Sequence, residues 1–151
     1  MDISALVVDD SGIMRKMVMK SLGETGLANF EFTEAEDGVE ALKQFKPNKI
    51  DMIFVDWNMP RMNGFDFVKK IRATQKTHIP IVMITTEGTM GKVQQDLDRA
   101  GVDCYIIKPF TTAILQKKLA PLFRKLQAEA QAAPQQKKKG GFFSNLASKL
   151  Q

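Results

Sequence analysis

The sequence predicts an α/β fold, a doubly wound five-stranded parallel sheet with helices on both faces, and three observations carry that expectation. Short apolar runs alternate five times with amphipathic stretches along 151 residues. The first and third runs are almost continuously apolar, as strands buried on both faces require. Glycine and proline, at Gly26, Gly38, Pro47, Gly64, Pro80 and Gly101, fall between segments where the chain has to turn.

Taken in order, "SALVVDD" is a buried strand ending in acid, and residues 12–23 follow with Ile13, Met14, Met17, Val18 and Leu22 at helical spacing. "NFEFTEA" alternates apolar with polar residues, which suits an edge strand, and leads to the helical "DGVEALKQF". "IDMIFVD" passes the turn "NMPRMNG" into "FDFVKKIRA", "IPIVMITT" leads to "GKVQQDLDRAG", and "DCYIIKP" leads to "TTAILQKKLAPLFRKL". With the second strand at an edge, the flavodoxin-like order 2-1-3-4-5 is favoured. Its switch point lies between the carboxyl ends of strands one and three, and function is expected there.

Composition narrows the class. The chain is 44% hydrophobic and 26% charged, which fits one globular domain with an ordinary core. Of its net charge of +5, residues 127–151 supply three units, from four lysines against Glu129. The remaining, nearly neutral part lacks a basic face interleaved with aromatics, so nucleic acid is not an expected partner. No basic leader precedes an apolar segment, no run reaches the ~18 residues of a membrane span, and the lone Cys104 has no intrachain partner. A reducing cytoplasm is the expected location.

The chemistry gathers on one rim. Asp9 and Asp10 close the first strand, Asp56 the third, Thr85 and Thr86 the fourth, and Lys108 the fifth. Three carboxylates against one ammonium leave two negative charges, which one divalent cation cancels. Mg²⁺ suits a site with few oxygen ligands and retained waters, whereas Ca²⁺ wants more ligands. A carboxylate flanked by such an ion and a lysine can attack phosphorus, with the Thr85 hydroxyl donating to another phosphoryl oxygen. The site is expected to accept a phosphoryl group on Asp56. Any one of these residues has a plainer use, since Asp10 or Ser11 can simply cap the helix that begins at "GIMRK". All of them ending neighbouring strands on one rim is what favours chemistry.

The segments "LVVDDS" with "MRKMV", "EAEDGVEAL", "VDWNMPRMNGFDFVKKIR", "IVMITTE" and "CYIIKPF" together resemble the receiver domain of two-component response regulators, and more narrowly the CheY-like single-domain chemotaxis regulators, over about residues 1–126. The resemblance implies Asp56 as the phosphorylated residue, Asp10 as a direct Mg²⁺ ligand, Asp9 as a ligand through water and the Asn58 backbone carbonyl as a further ligand. Thr85 follows the phosphoryl group inwards, Lys108 pairs with a phosphoryl oxygen, and Pro109 follows a cis bond. Tyr105 is the switch aromatic that turns inwards once Thr85 moves. Asn58, Thr86 and Glu87 lie where the family tunes dephosphorylation; Thr86 stands where alanine is common.

By the same resemblance the chain is a monomeric signalling domain rather than an enzyme. Its implied partners are a chemotaxis-type histidine kinase, a flagellar motor switch protein and a phosphatase. A phosphate sink or relay intermediate, or an array- or surface-associated adaptor, is the alternative. Aspartyl-phosphate hydrolases of the haloacid dehalogenase type place a second Asp two residues after the first; here Asn58 occupies that position, and an amide cannot exchange protons near neutral pH. A flavin or nucleotide carrier is weaker, because "DDSG" repels phosphate where an amide-rich loop is wanted. His78 and Cys104 read as structural, and Trp57 as an optical reporter of the site.

Residues 127–141 read as a polar basic linker, with Pro134 and Gly140–Gly141 as breakers. In 142–151, Phe142, Phe143, Leu146, Ala147 and Leu150 share one helical face, too short to be stable alone in water. Contact with an anionic membrane, with a partner groove or with the chain's own output face, and a disordered, solubilising end, are the open readings.

Overall fold

The computed structural model describes residues 1–75 and 78–132. The elements run β1 (Asp2–Val8), α1 (Gly12–Glu24), β2 (Asn29–Ala35), α2 (Gly38–Gln44), β3 (Met52–Val55), α3 (Gly64–Gln75), β4 (Ile81–Thr86), α4 (Glu87–Ala100), β5 (Cys104–Lys108) and α5 (Thr112–Ala132). All strand pairs are parallel, and the order is β2-β1-β3-β4-β5. This is the predicted flavodoxin-like sheet, with β2 at its edge.

Side chains alternate across the sheet with a period of two, so each central strand feeds two cores. Leu6, Val8, Ile53, Val55, Ile81 and Met83 face one way and pack under Ala41 of α2, Phe67, Val68 and Ile71 of α3, and Met90 and Leu97 of α4. Ala5, Val7, Met52, Phe54, Val82 and Ile84 face the other way, under Val18 and Leu22 of α1 and the stripe Leu115, Leu119, Phe123, Leu126 and Ala130 of α5. Each fully buried aliphatic side chain contributes about 2 kcal/mol against solvent exposure. This double burial explains why β1 and β3 read as continuous apolar runs.

One buried face and two helix boundaries differ from the sequence expectation. On α1 the core stripe is Met14, Val18 and Leu22, spaced by four; Ile13 and Met17 lie about 100° round the helix and stay 76% and 49% exposed. Met14 and Met19 pack against the second core, whereas Met17 does not. Helix α4 starts at Glu87, ahead of Gly88 and Gly91, because the Thr86 hydroxyl caps it by accepting from the Thr89 N–H at 3.4 Å. Helix α5 continues to Ala132, taking in the first six residues of the expected linker, because Leu126 and Ala130 still reach the second core. Pro121 sits within α5 on its exposed side, so the buried stripe passes it uninterrupted. The rest of the linker and the expected contacts of Phe142, Phe143, Leu146 and Leu150 lie outside the described residues. Among the described residues no helix is long and apolar enough to cross a membrane.

Candidate functional site

The carboxyl ends of β1, β3, β4 and β5 bring five of the predicted residues together. Two backbone bonds extend the ladder past the strand ends, Asp9 N–H to the Ala35 carbonyl at 3.1 Å and Asp56 N–H to the Val8 carbonyl at 3.0 Å. They place both carboxylates at the switch point while keeping them inside, 4% and 7% exposed. Lys108 bridges the two, its Nζ 3.0 Å from Asp9 Oδ2 and 3.4 Å from Asp56 Oδ2. Asp10 is exposed at the mouth. One carboxylate oxygen from each of Asp9, Asp10 and Asp56 lies within 4.8 Å of the others, a cluster that can hold a metal ion.

The cluster is electrostatically unsettled without a further cation. Burial pushes the Asp56 carboxyl up from its ordinary value; Lys108 pulls it back, Asp9 adds to the rise, and the net shift is upward. The Trp57 N–H donates to Asp56 Oδ1 at 2.8 Å, and the Ser11 N–H to Asp9 Oδ1 at 2.9 Å, so both carboxylates are oriented by backbone. Thr85 is fully buried. Its hydroxyl lies near enough to Asp56 to favour the ionised carboxylate, yet it makes no hydrogen bond of normal geometry to a described residue. A buried hydroxyl left in that state costs free energy until an acceptor arrives.

Other predicted residues stand around this centre. Asn58 is exposed, and its amide donates to Thr89 Oγ1 at 3.4 Å; Thr86 also donates to Thr89, at 3.1 Å; Glu87 is exposed beside them. The Lys108–Pro109 peptide is cis, as the resemblance implied. Tyr105 is half-buried against the first core, with its hydroxyl donating to Asp98 of α4. Trp57 stacks on Phe65 with ring centroids 5.6 Å apart. His78 is exposed, and burial pushes the Cys104 thiol up from its ordinary value.

Several supporting residues were not singled out from the sequence. Arg15 donates to the Asp9 carbonyl at 2.6 Å and pairs with Glu34 at 2.9 Å, fastening the acidic turn to β2. Arg61, at φ 64°, pairs with the buried Asp37, which caps α2 by accepting from the Glu40 N–H at 2.9 Å. Burial alone raises Asp37, but the Glu40 and Val39 N–H groups and the Arg61 guanidinium outweigh it and hold the carboxyl below its usual range. Gly64 lies so close to the acceptor loop that a Cβ there would stand 2.2 Å from the Asp56 carbonyl oxygen. For Gly64 and Asp37 a signal was present, in the glycine after the turn and in "DG" before a helix; for the arginines only the fold shows the partner.

Comparison with known proteins agrees with this arrangement. The family model described as response regulator receiver domain matches residues 5–120. The chain is 47% identical to the chemotaxis protein CheY1 of Helicobacter pylori over 116 residues, covering 76% of this chain and 91% of that protein. It is 40% identical to the chemotaxis protein CheY-3 of Vibrio cholerae over 126 residues, 83% of this chain and 95% of that one. The solved structure of Vibrio cholerae CheY4 superposes with a TM-score of 0.67 at 36% identity, covering 80% of this chain and 98% of that one. With its sheet order, its acidic rim and its bridging lysine, the chain belongs to the response regulator receiver domain family, among relatives that are CheY chemotaxis proteins.

Proposed function

We propose that this receiver accepts a phosphoryl group on Asp56 from a histidine kinase of a chemotaxis pathway and signals by binding a protein target. The observation that carries the reading is the buried Asp9–Lys108–Asp56 arrangement, with Asp10 completing a triad of carboxylates. The donor set fits Mg²⁺: Asp9, Asp10 and Asp56 would hold it, with the Asn58 backbone carbonyl as a further oxygen. When bound, the ion supplies positive charge to the phosphoryl oxygens and removes the repulsion among the carboxylates.

The chain's own groups do the rest. A carboxylate oxygen of Asp56 attacks phosphorus, an O–P bond forms as the donor's N–P bond breaks, and the electron pair leaves on the imidazole nitrogen, which takes a proton from water. Lys108 pairs with a phosphoryl oxygen, spreading its charge. Thr85 gives its buried hydroxyl to another oxygen, gaining the acceptor that it lacks at rest. Moving Thr85 frees space on the face of the sheet that Tyr105 shares, and the surface of α4, β5 and α5 changes. The partner that reads this surface is a flagellar motor switch protein, by analogy with relatives named as chemotaxis proteins. Asn58, Thr86 and Glu87 set water access and the lifetime of the aspartyl phosphate; a phosphatase acts through the same opening.

Trp57 is the chain's single tryptophan and adjoins Asp56, so its fluorescence tests the site directly. Saturable quenching by Mg²⁺, followed by a further change with an acyl phosphate, is expected in wild type. Asp56→Asn should lose the second change. An acyl phosphate response of equal size in that variant would rule out Asp56 as the acceptor.

A further inference from the structure

The Tyr105 side chain is not free in the resting protein. Along β4, Met83 and Thr85 point to the same face of the sheet, two residues apart, and β5 pairs Tyr105 with Met83 and Ile107 with Thr85. Tyr105 therefore shares Thr85's face, one step further from the rim. Its ring packs only partly against the first core, and its hydroxyl donates to Asp98 Oδ1 on the last turn of α4.

Asp98 is itself exposed, and its side chain has no other hydrogen bond or ion pair among those the structure shows. Its carbonyl helps to close α4, accepting from the Gly101 N–H at 3.2 Å, so the helix end that carries the carboxylate is fixed by a left-handed glycine at φ 98°. A carboxylate accepting from a phenol makes a charge-assisted bond, stronger than the neutral kind. Such a bond exists only while the ring lies outward.

We propose that Asp98 is a positioning residue that latches Tyr105 outward and so sets the fraction of unphosphorylated protein in the signalling conformation. This rests on the receiver switch proposed above and adds to it a residue that biases the resting equilibrium. A group that bonds to one of two conformations shifts the population towards it by its differential free energy and no more. Removing the carboxylate therefore raises the inward population without touching Asp56, Lys108 or the acidic triad. It also uncouples the end of α4 from β5, so the output surface itself loses a tie across two of its three elements.

Tyr105 is the chain's single tyrosine, which makes the test specific. The full chain is labelled with fluorotyrosine, and its fluorine NMR spectrum is taken at slightly acidic pH with and without Mg²⁺ and an acyl phosphate. Intact mass on the same samples reports whether Asp56 is modified. Phosphorylation should move the wild-type resonance. Asp98→Ala should move the unphosphorylated resonance part of the way in the same direction, raising the inward-to-outward ratio about three- to tenfold. Asp98→Asn, which keeps shape and loses charge, should give a smaller displacement the same way. An Asp98→Ala resonance that stays at the wild-type position while phosphorylation of that variant still shifts it would overturn the latch and leave the switch standing. A spectrum indifferent to phosphorylation, in samples whose mass shows the added group, would overturn the switch and the latch's role in it together.

Discussion

Asp56 is a residue whose environment opposes its own charge. Burial and Asp9 raise its pKa, and Lys108 only partly compensates, so folding favours the protonated form relative to the unfolded chain. The sign follows from proton linkage: where the native state binds more protons, stability falls as pH rises, here through the interval between the ordinary carboxylate pKa and the raised one. Asp56→Asn removes that penalty. In the absence of Mg²⁺ the variant should therefore melt a few degrees above wild type at neutral pH, with the difference vanishing in acid below the ordinary carboxylate range. A thermal melt series in chelator across pH checks this. A variant less stable than wild type at neutral pH would mean that the pair with Lys108 outweighs burial. The type of each site residue was legible from the sequence because each directly follows an apolar run or its first polar residue at a strand's carboxyl end. The orientations of Asp9 and Asp10 were not, since adjacent carboxylates differ only in which way the backbone turns them: Asp9 inwards onto Lys108, Asp10 outwards to solvent.

Elements hold these residues in place, and the closest tolerance is at the start of α3. The Gly64 N–H donates to the Trp57 carbonyl at 2.9 Å, and a Cβ at Gly64 would meet the Asp56 carbonyl oxygen at 2.2 Å, so helix and acceptor loop touch backbone to backbone. Gly64→Ala forces one of them aside. Overpacking of this kind costs about 3 kcal/mol, and urea unfolding should show a loss of that order. Slower phosphorylation of the variant is expected beside it, because the shift moves Asp56 relative to Lys108. Strands β1 to β5 were legible because double burial and edge exposure leave opposite patterns of apolar residues. Helix limits were less so: the Thr86 cap outweighs the poor helix propensity of Gly88 and Gly91, and the buried Ala130 extends α5 where composition alone suggested linker.

At the scale of the whole molecule, five parallel strands point their carboxyl ends at one rim, and the order 2-1-3-4-5 opens that rim between β1 and β3. Two separate cores grip the sheet from its two faces, and on the α4–β5 side the side-chain bond from Tyr105 to Asp98 adds a polar tie to the apolar packing of Met90 and Leu97. That arrangement suits a molecule that does chemistry at one place and reports it at another. Contacts of this kind, between residues seven apart on a helix end and a strand, leave no periodic mark in a sequence and became visible only in the fold. The central claim is that Asp56 takes the phosphoryl group. The most direct measurement is intact-mass spectrometry of wild type and Asp56→Asn after incubation with an acyl phosphate, with Mg²⁺ or with chelator. The account predicts the addition of one phosphoryl group to wild type, dependent on Mg²⁺ and absent from the variant; an unmodified wild type, or equal modification of both proteins, would contradict it.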